Sequence, residues 1–228
     1  MSAHPENLRF HGGDNPLLTN SASDDWHDLI EAVGPASILL IIEDRMSKAL
    51  QNRMTPEDVL QESLLHAWPD RAKCEWRGIK SFRAWLLTLI DHRIRDFADY
   101  ENAAKRGGGT PPAVFSVLQD AAESSEAAVA IASTTPSRVA IYREQASAMK
   151  EALESLSPEL RDVVRFRLFE QLPMDEIAQR LDIGVSAVRH RFRKGAAVYR
   201  ERLLATFSSR AGSLRGETPG ASTADSSP

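Results

Sequence analysis

Along the 228-residue chain the apolar side chains recur at helical spacing, and no stretch alternates convincingly with the period of two that a half-buried strand needs. Thr55-Pro56-Glu57-Asp58 offers an N-cap, a proline at the first helical position and two acids in the first turn. Val59, Leu60, Leu64, Leu65 and Trp68 follow at helical intervals, which predicts a helix from about Pro56 to Trp68. Phe82, Trp85, Leu86, Leu89, Ile90, Ile94 and Phe97 form one stripe and predict another helix from Ser81 to about Arg106. Trp26 to Val33 and Ile38 to Leu50 supply two more, and Cys74-Glu75-Trp76-Arg77-Gly78-Ile79-Lys80 is a short basic loop carrying an aromatic.

Gly107-Gly108-Gly109-Thr110-Pro111-Pro112 cannot continue a helix and opens an Ala-, Ser- and Thr-rich stretch that ends at Thr134-Thr135-Pro136. The expected organisation is all-α. A disordered N-terminus (1–22) precedes a helical domain (23–106), a flexible acidic linker (107–137), a second small helical domain (138–205) and a disordered tail (206–228). No repeat is visible.

The second domain repeats the capping logic at Ser157-Pro158-Glu159 and then reads as two short helices joined by Asp182-Ile183-Gly184, with small Ala178 where the helices must approach closely. Asp182 stands where such turns usually have glycine, and aspartate tolerates a left-handed conformation better than most residues. Projected at 100° per residue, the last helix places Val188, Phe192, Gly195 and Tyr199 on one side. Ser186, Arg189, His190, Arg193, Lys194, Ala197 and Arg200 fall on the other. A basic face of this kind suits a major groove, where arginine grips guanine through two hydrogen bonds.

The formal net charge of −4 argues against a nucleic-acid binder until its distribution is read. Residues 1–70 carry a net −8, residues 71–106 a net +4, residues 107–137 three acids and no base, and residues 186–203 six bases against Glu201. Two basic segments separated by an acidic stretch suggest two contacts with a polyanion. The single Cys74 excludes an intrachain disulfide and suits a reducing cytosol. The six histidines are scattered without metal-ligand spacing, and no nucleophile or phosphate-loop motif occurs, so neither an enzyme nor a cofactor is expected. The longest apolar run, Ile38 to Ile42, is far too short for a membrane span, so a cytoplasmic protein without membrane insertion is expected.

Three stretches taken together resemble the sigma factors of bacterial RNA polymerase, of the small two-domain extracytoplasmic-function (ECF) type within the sigma-70 family. Glu57 to Ser63 is similar to the family's region 2.2. Trp76-Arg77-Gly78 and Ser81 to Leu86 are similar to regions 2.3 and 2.4, and Leu153 to Leu203 to region 4. The resemblance implies roles. Asp58, Gln61 and Glu62 would dock on the clamp helices of the polymerase beta-prime subunit, with the beta flap as a second contact. Trp76, Arg77, Lys80, Arg83 and Arg95 would serve the minus-ten element, the loop at residues 76–80 capturing a flipped base. Ser186, Arg189, His190, Arg193, Lys194 and Arg200 would meet the minus-thirty-five element. The acidic linker would thread past the polymerase active site, and an inhibitory anti-sigma partner is a family expectation. Thr88 and Asp91 depart from the family, standing where such helices are often basic. The other readings are a stand-alone helix-turn-helix regulator of duplex operators and a helical protein-binding adaptor.

Overall fold

The computed structural model of the chain describes residues 15–19, 22–105 and 135–215. Among these residues every regular element is helical. The expected linker falls almost wholly outside the described residues, as do most of the expected N-terminal and C-terminal tails. The chain divides into two compact units, residues 1–146 and residues 147–228.

In the first unit α1 (Ala22–Ala32), α2 (Pro35–Arg45), α3 (Lys48–Gln51), α4 (Pro56–Asp70) and α5 (Ile79–Lys105) follow one another. The helix expected over Ile38–Leu50 is broken, because Ser47 turns extended and its Oγ accepts the Leu50 N–H at 3.2 Å, capping α3. The hydrophobic spacing runs through the break, with Met46 and Leu50 both buried, so periodicity alone does not reveal it. Gly34 joins α1 to α2 at φ +73°, a left-handed setting, and Pro35 opens the next helix.

Trp26 of α1 is fully buried and meets Trp68 of α4 edge-on at 5.3 Å and Phe82 of α5 at 5.7 Å. Rings of this kind cost about 3–5 kcal/mol each when truncated to alanine. Of the α5 stripe Phe82, Leu86, Ile90, Ile94 and Phe97 are buried, while Trp85 and Leu89 at its edge are half-buried. Part of the expected N-terminal tail joins this core. A 3₁₀ turn at Pro16–Leu18 is capped by the Asn15 side chain, and Leu17 is fully buried.

The helix α6 (Pro136–Glu154) begins in the first unit and ends in the second. The second unit continues through α7 (Pro158–Val164), a π-helical turn (Arg165–Phe169), α8 (Met174–Leu181) and α9 (Val185–Arg215). α9 extends ten residues into the stretch expected to be disordered. Arg210 reaches Glu151 at 3.4 Å and Ser147 at 3.2 Å on α6, which ties the extension down.

Candidate nucleic-acid and protein-docking surfaces

In the second unit Val163, Ile177, Ala178 and Val188 form the buried centre, with Phe166, Leu172, Leu181, Ile183 and Phe192 packed around it. The turn between α8 and α9 depends on Asp182, which adopts φ 49°, ψ 47° while its N–H donates back to Ala178 and Gln179. Aspartate holds this left-handed position at lower cost than a branched residue would. Ala178 is buried where α8 meets α9, and Gly195 lets α9 cross α7. A Cβ at residue 195 would stand 2.7 Å from a Val164 methyl.

With that face inside, Ser186, Arg189, His190, Arg193, Lys194 and Arg200 are all exposed together. Residues 186–194 span about 12 Å of helix, close to the width of a major groove, and Arg200 lies about one and a half turns beyond Lys194. Arg191, between them in sequence, turns inward and pairs with Glu159 at 3.2 Å. Arg180 is likewise engaged, by Glu170 and Glu176 and over the Phe166 ring.

In the first unit the basic loop is organised by Ser81. Its Oγ accepts the Arg77 N–H at 2.8 Å and donates to the Gly78 carbonyl at 2.8 Å, and Gly78 takes φ +99°, which favours glycine. Cys74 anchors the loop from below. Burial, with Glu75 second, pushes its thiol up to about 11, so it stays protonated at neutral pH. Trp76 is half-buried, while Arg77 and Lys80 are exposed, Arg77 pairing with Glu75 at 2.8 Å.

Arg83 does not join them. It is 4% exposed and donates to the Val33 carbonyl at the end of α1, and burial followed by the nearby Arg45 lowers its pKa to about 10. It still carries its charge at neutral pH, but faces the interior. Arg95 is exposed and its Nε donates to the Asp91 carbonyl at 3.1 Å. The Asp91 carboxylate is held by Arg45 at 2.6 Å, so the acid that departs from the family is countered within the unit.

On α4 the residues expected to dock have three different fates. Asp58 is exposed but occupied: its Oδ2 accepts the Thr55 N–H at 2.8 Å while its own N–H donates to Thr55 Oγ1 at 3.2 Å, a reciprocal cap. Gln61 is half-exposed. Glu62 is only 6% exposed, and its Oε2 is buried without a hydrogen-bond partner. Burial pushes its carboxyl up to about 7, with Arg93 opposing and Asp58 reinforcing the shift. His66, one turn on, is pushed down by burial and by Arg93, which lies 3.5 Å from its Nε2.

Three engaged residues escaped the sequence reading. Arg138, Tyr142 and Arg143 of α6 bind Glu31 and Glu57 across the first unit, and long-range pairs of this kind leave no local signal. Among the described residues no cluster of histidine, cysteine and carboxylate side chains could hold a metal. No described helix is long and apolar enough to cross a membrane.

Comparison with known proteins agrees with this division. Residues 45–103 match the family description "Sigma-70 region 2" and residues 146–197 match "Sigma-70, region 4". The first lies inside the first unit, and the second covers the helix-turn-helix of the second. The "ECF RNA polymerase sigma-E factor" of Salmonella typhimurium is 27% identical over 169 residues, covering 71% of this chain and 83% of the relative. The protein of the same name from Salmonella typhi matches to the same extent. With both regions present in order on two helical units, and ECF factors among its relatives, the chain belongs to the sigma-70 family, as a sigma factor of the ECF type.

Proposed function

We propose that this sigma factor brings core RNA polymerase to a two-element promoter, with the N-terminal half of α9 reading the minus-thirty-five element in the major groove. The observation that carries this reading is the joint exposure of Ser186, Arg189, His190, Arg193 and Lys194 on the face opposite buried Val188 and Tyr199. Arg189, Arg193 and Lys194 supply the donors that distinguish guanine, and Arg200, further along the helix, suits a phosphate.

The Cys74–Gly78 loop and the start of α5 serve the minus-ten element. Trp76 offers a stacking plane for an unstacked base, and Arg77, Lys80 and Arg95 supply positive charge beside it. Arg83 contributes by holding α5 to the end of α1 rather than by touching DNA. Asp58 and Gln61 carry the docking of α4 on the polymerase clamp. Glu62 supports that surface from beneath. The chemistry of RNA synthesis belongs to the polymerase, so no catalytic group is assigned here.

The test is transcription from genomic fragments with purified core polymerase, with and without this protein. New start sites support the sigma reading, whereas specific footprints on bare DNA without polymerase would favour a stand-alone regulator. Arg193→Ala removes a base-reading donor worth about 1–3 kcal/mol, so promoter use falls by about fivefold to 150-fold while core binding persists. Unchanged transcription from a cognate promoter would refute the assignment of this face.

A further inference from the structure

The start of α6 makes a set of contacts that the sigma activity does not use. Tyr142 is 4% exposed and its hydroxyl donates to Glu31 Oε1, and Arg138 donates to the same oxygen at 3.0 Å. The residue after Tyr142, Arg143, donates through Nε to Glu57 Oε1 at 2.6 Å, and the Glu57 side chain is only 13% exposed. Glu57 opens α4. It precedes Asp58 directly and lies one helical turn before Gln61, at the N-terminal end of the stretch assigned to polymerase docking.

We propose that residues 136–143 form a strap that covers the first turn of α4 in the free protein and is displaced when core polymerase docks. The inference rests on the reading that α4 is the docking helix. Arg143 neutralises the Glu57 carboxylate that a basic partner surface would otherwise attract, while Arg138 and Tyr142 tie the strap to Glu31 of α1. They act as a tethered competitor at high effective concentration. Because its ion pairs lie at the surface, the strap is held weakly enough to open. A protein that docks only when open shows an apparent dissociation constant raised by the inverse of its open fraction.

The test uses the full chain and purified core polymerase. Arg138→Gln combined with Arg143→Gln is expected to tighten binding about threefold to tenfold, and Tyr142→Phe, which changes no charge, to act in the same direction. Circular dichroism matching the wild type confirms that both variants are folded. Hydrogen exchange at residues 139–146 of the wild type is expected to speed up on binding. Unchanged or weaker affinity in both folded variants, or undiminished protection of 139–146 in the complex, would overturn the strap.

Asp58→Asn separates the two levels, since it keeps an oxygen for the Thr55 N–H and removes only the charge. Wild-type affinity for Asp58→Asn refutes docking through this end of α4. Weakened Asp58→Asn alongside unaltered strap variants refutes the strap alone.

Discussion

Replacing Glu62 by glutamine should stabilise the first unit in a pH-dependent way. Glu62 is buried between α4 and α5, and its carboxyl titrates near 7 in the folded chain against an ordinary value of 4.5. Between those values the folded protein holds a proton that the unfolded chain has released, so stability attributable to Glu62 falls as pH rises and the loss is complete above about 7. The 2.5-unit difference corresponds to about 3 kcal/mol at pH 8. His66 acts with the opposite sign, because burial and Arg93 push its pKa below 6.5 and favour the folded state as pH rises through that window. It is present in both proteins and cancels to first order in their difference. The four tryptophans, Trp26, Trp68, Trp76 and Trp85, all lie in the first unit, so urea unfolding followed by their fluorescence reads that unit selectively. Wild type and Glu62→Gln should converge near pH 4.5 and separate progressively to pH 8, the variant being the more stable. Parallel curves at both pH values, or a variant less stable at pH 8, would refute a protonated, unpaired Glu62 in the folded chain.

Gly195→Ala sets two effects against each other. Helix propensity favours alanine by about 1 kcal/mol, whereas the new Cβ would press on Val164 at 2.7 Å and Leu160 at 3.3 Å, an overpacking that costs about 1–3 kcal/mol. The structure predicts net destabilisation of the second unit, seen as faster hydrogen exchange at α7 and a lower melting temperature by circular dichroism; a more stable variant would show that α7 and α9 do not approach so closely. Arg83→Leu should lower first-unit stability by about 2–3 kcal/mol, because the Val33 carbonyl loses a charged donor in the interior. Its residual transcription defect should vanish at temperatures where the variant remains folded. A promoter-specific defect in the folded variant would instead return Arg83 to the DNA surface.

What could be read from the sequence was local. The Thr55–Asp58 cap, the left-handed Asp182 and the outward face of α9 each follow from residues within a few positions of one another, where capping geometry and the 100° helical step act. The family resemblance sets Arg83 among the DNA-facing residues. Its actual partner is a carbonyl fifty residues earlier, and only the packing of α1 against α5 brings them together. The resemblance gives Glu62 a docking role, yet its side chain is buried with Arg93 of α5 near enough to act on its carboxyl, a neighbour thirty-one positions away in sequence. The break at Ser47 was hidden by a hydrophobic period that two helices share, and Leu17 by a polar neighbourhood that says nothing of one inserted side chain.

The disposition of charge explains why such a chain would rely on its polymerase to engage DNA. Of the bases in the second unit, Arg180, Arg191 and Arg210 each face an acid of that unit, while Arg189, Arg193, Lys194 and Arg200 share the outward face of α9. Four phosphate-neutralising bases would release counterions with a log–log salt slope of only about −4, well short of the slopes near −10 of proteins that bind duplex tightly by themselves. Some of these four must also be spent on base edges, which lowers the electrostatic share further. Meanwhile the chain as a whole is net negative by four charges, and its first 70 residues hold eight more acids than bases, so its long-range field opposes approach to a duplex. Docking that acidic surface on a basic partner removes the repulsion and leaves the two basic segments as the groups presented to DNA. Under the proposed function, polymerase binding and promoter recognition would thus be coupled through charge before any conformational change is invoked.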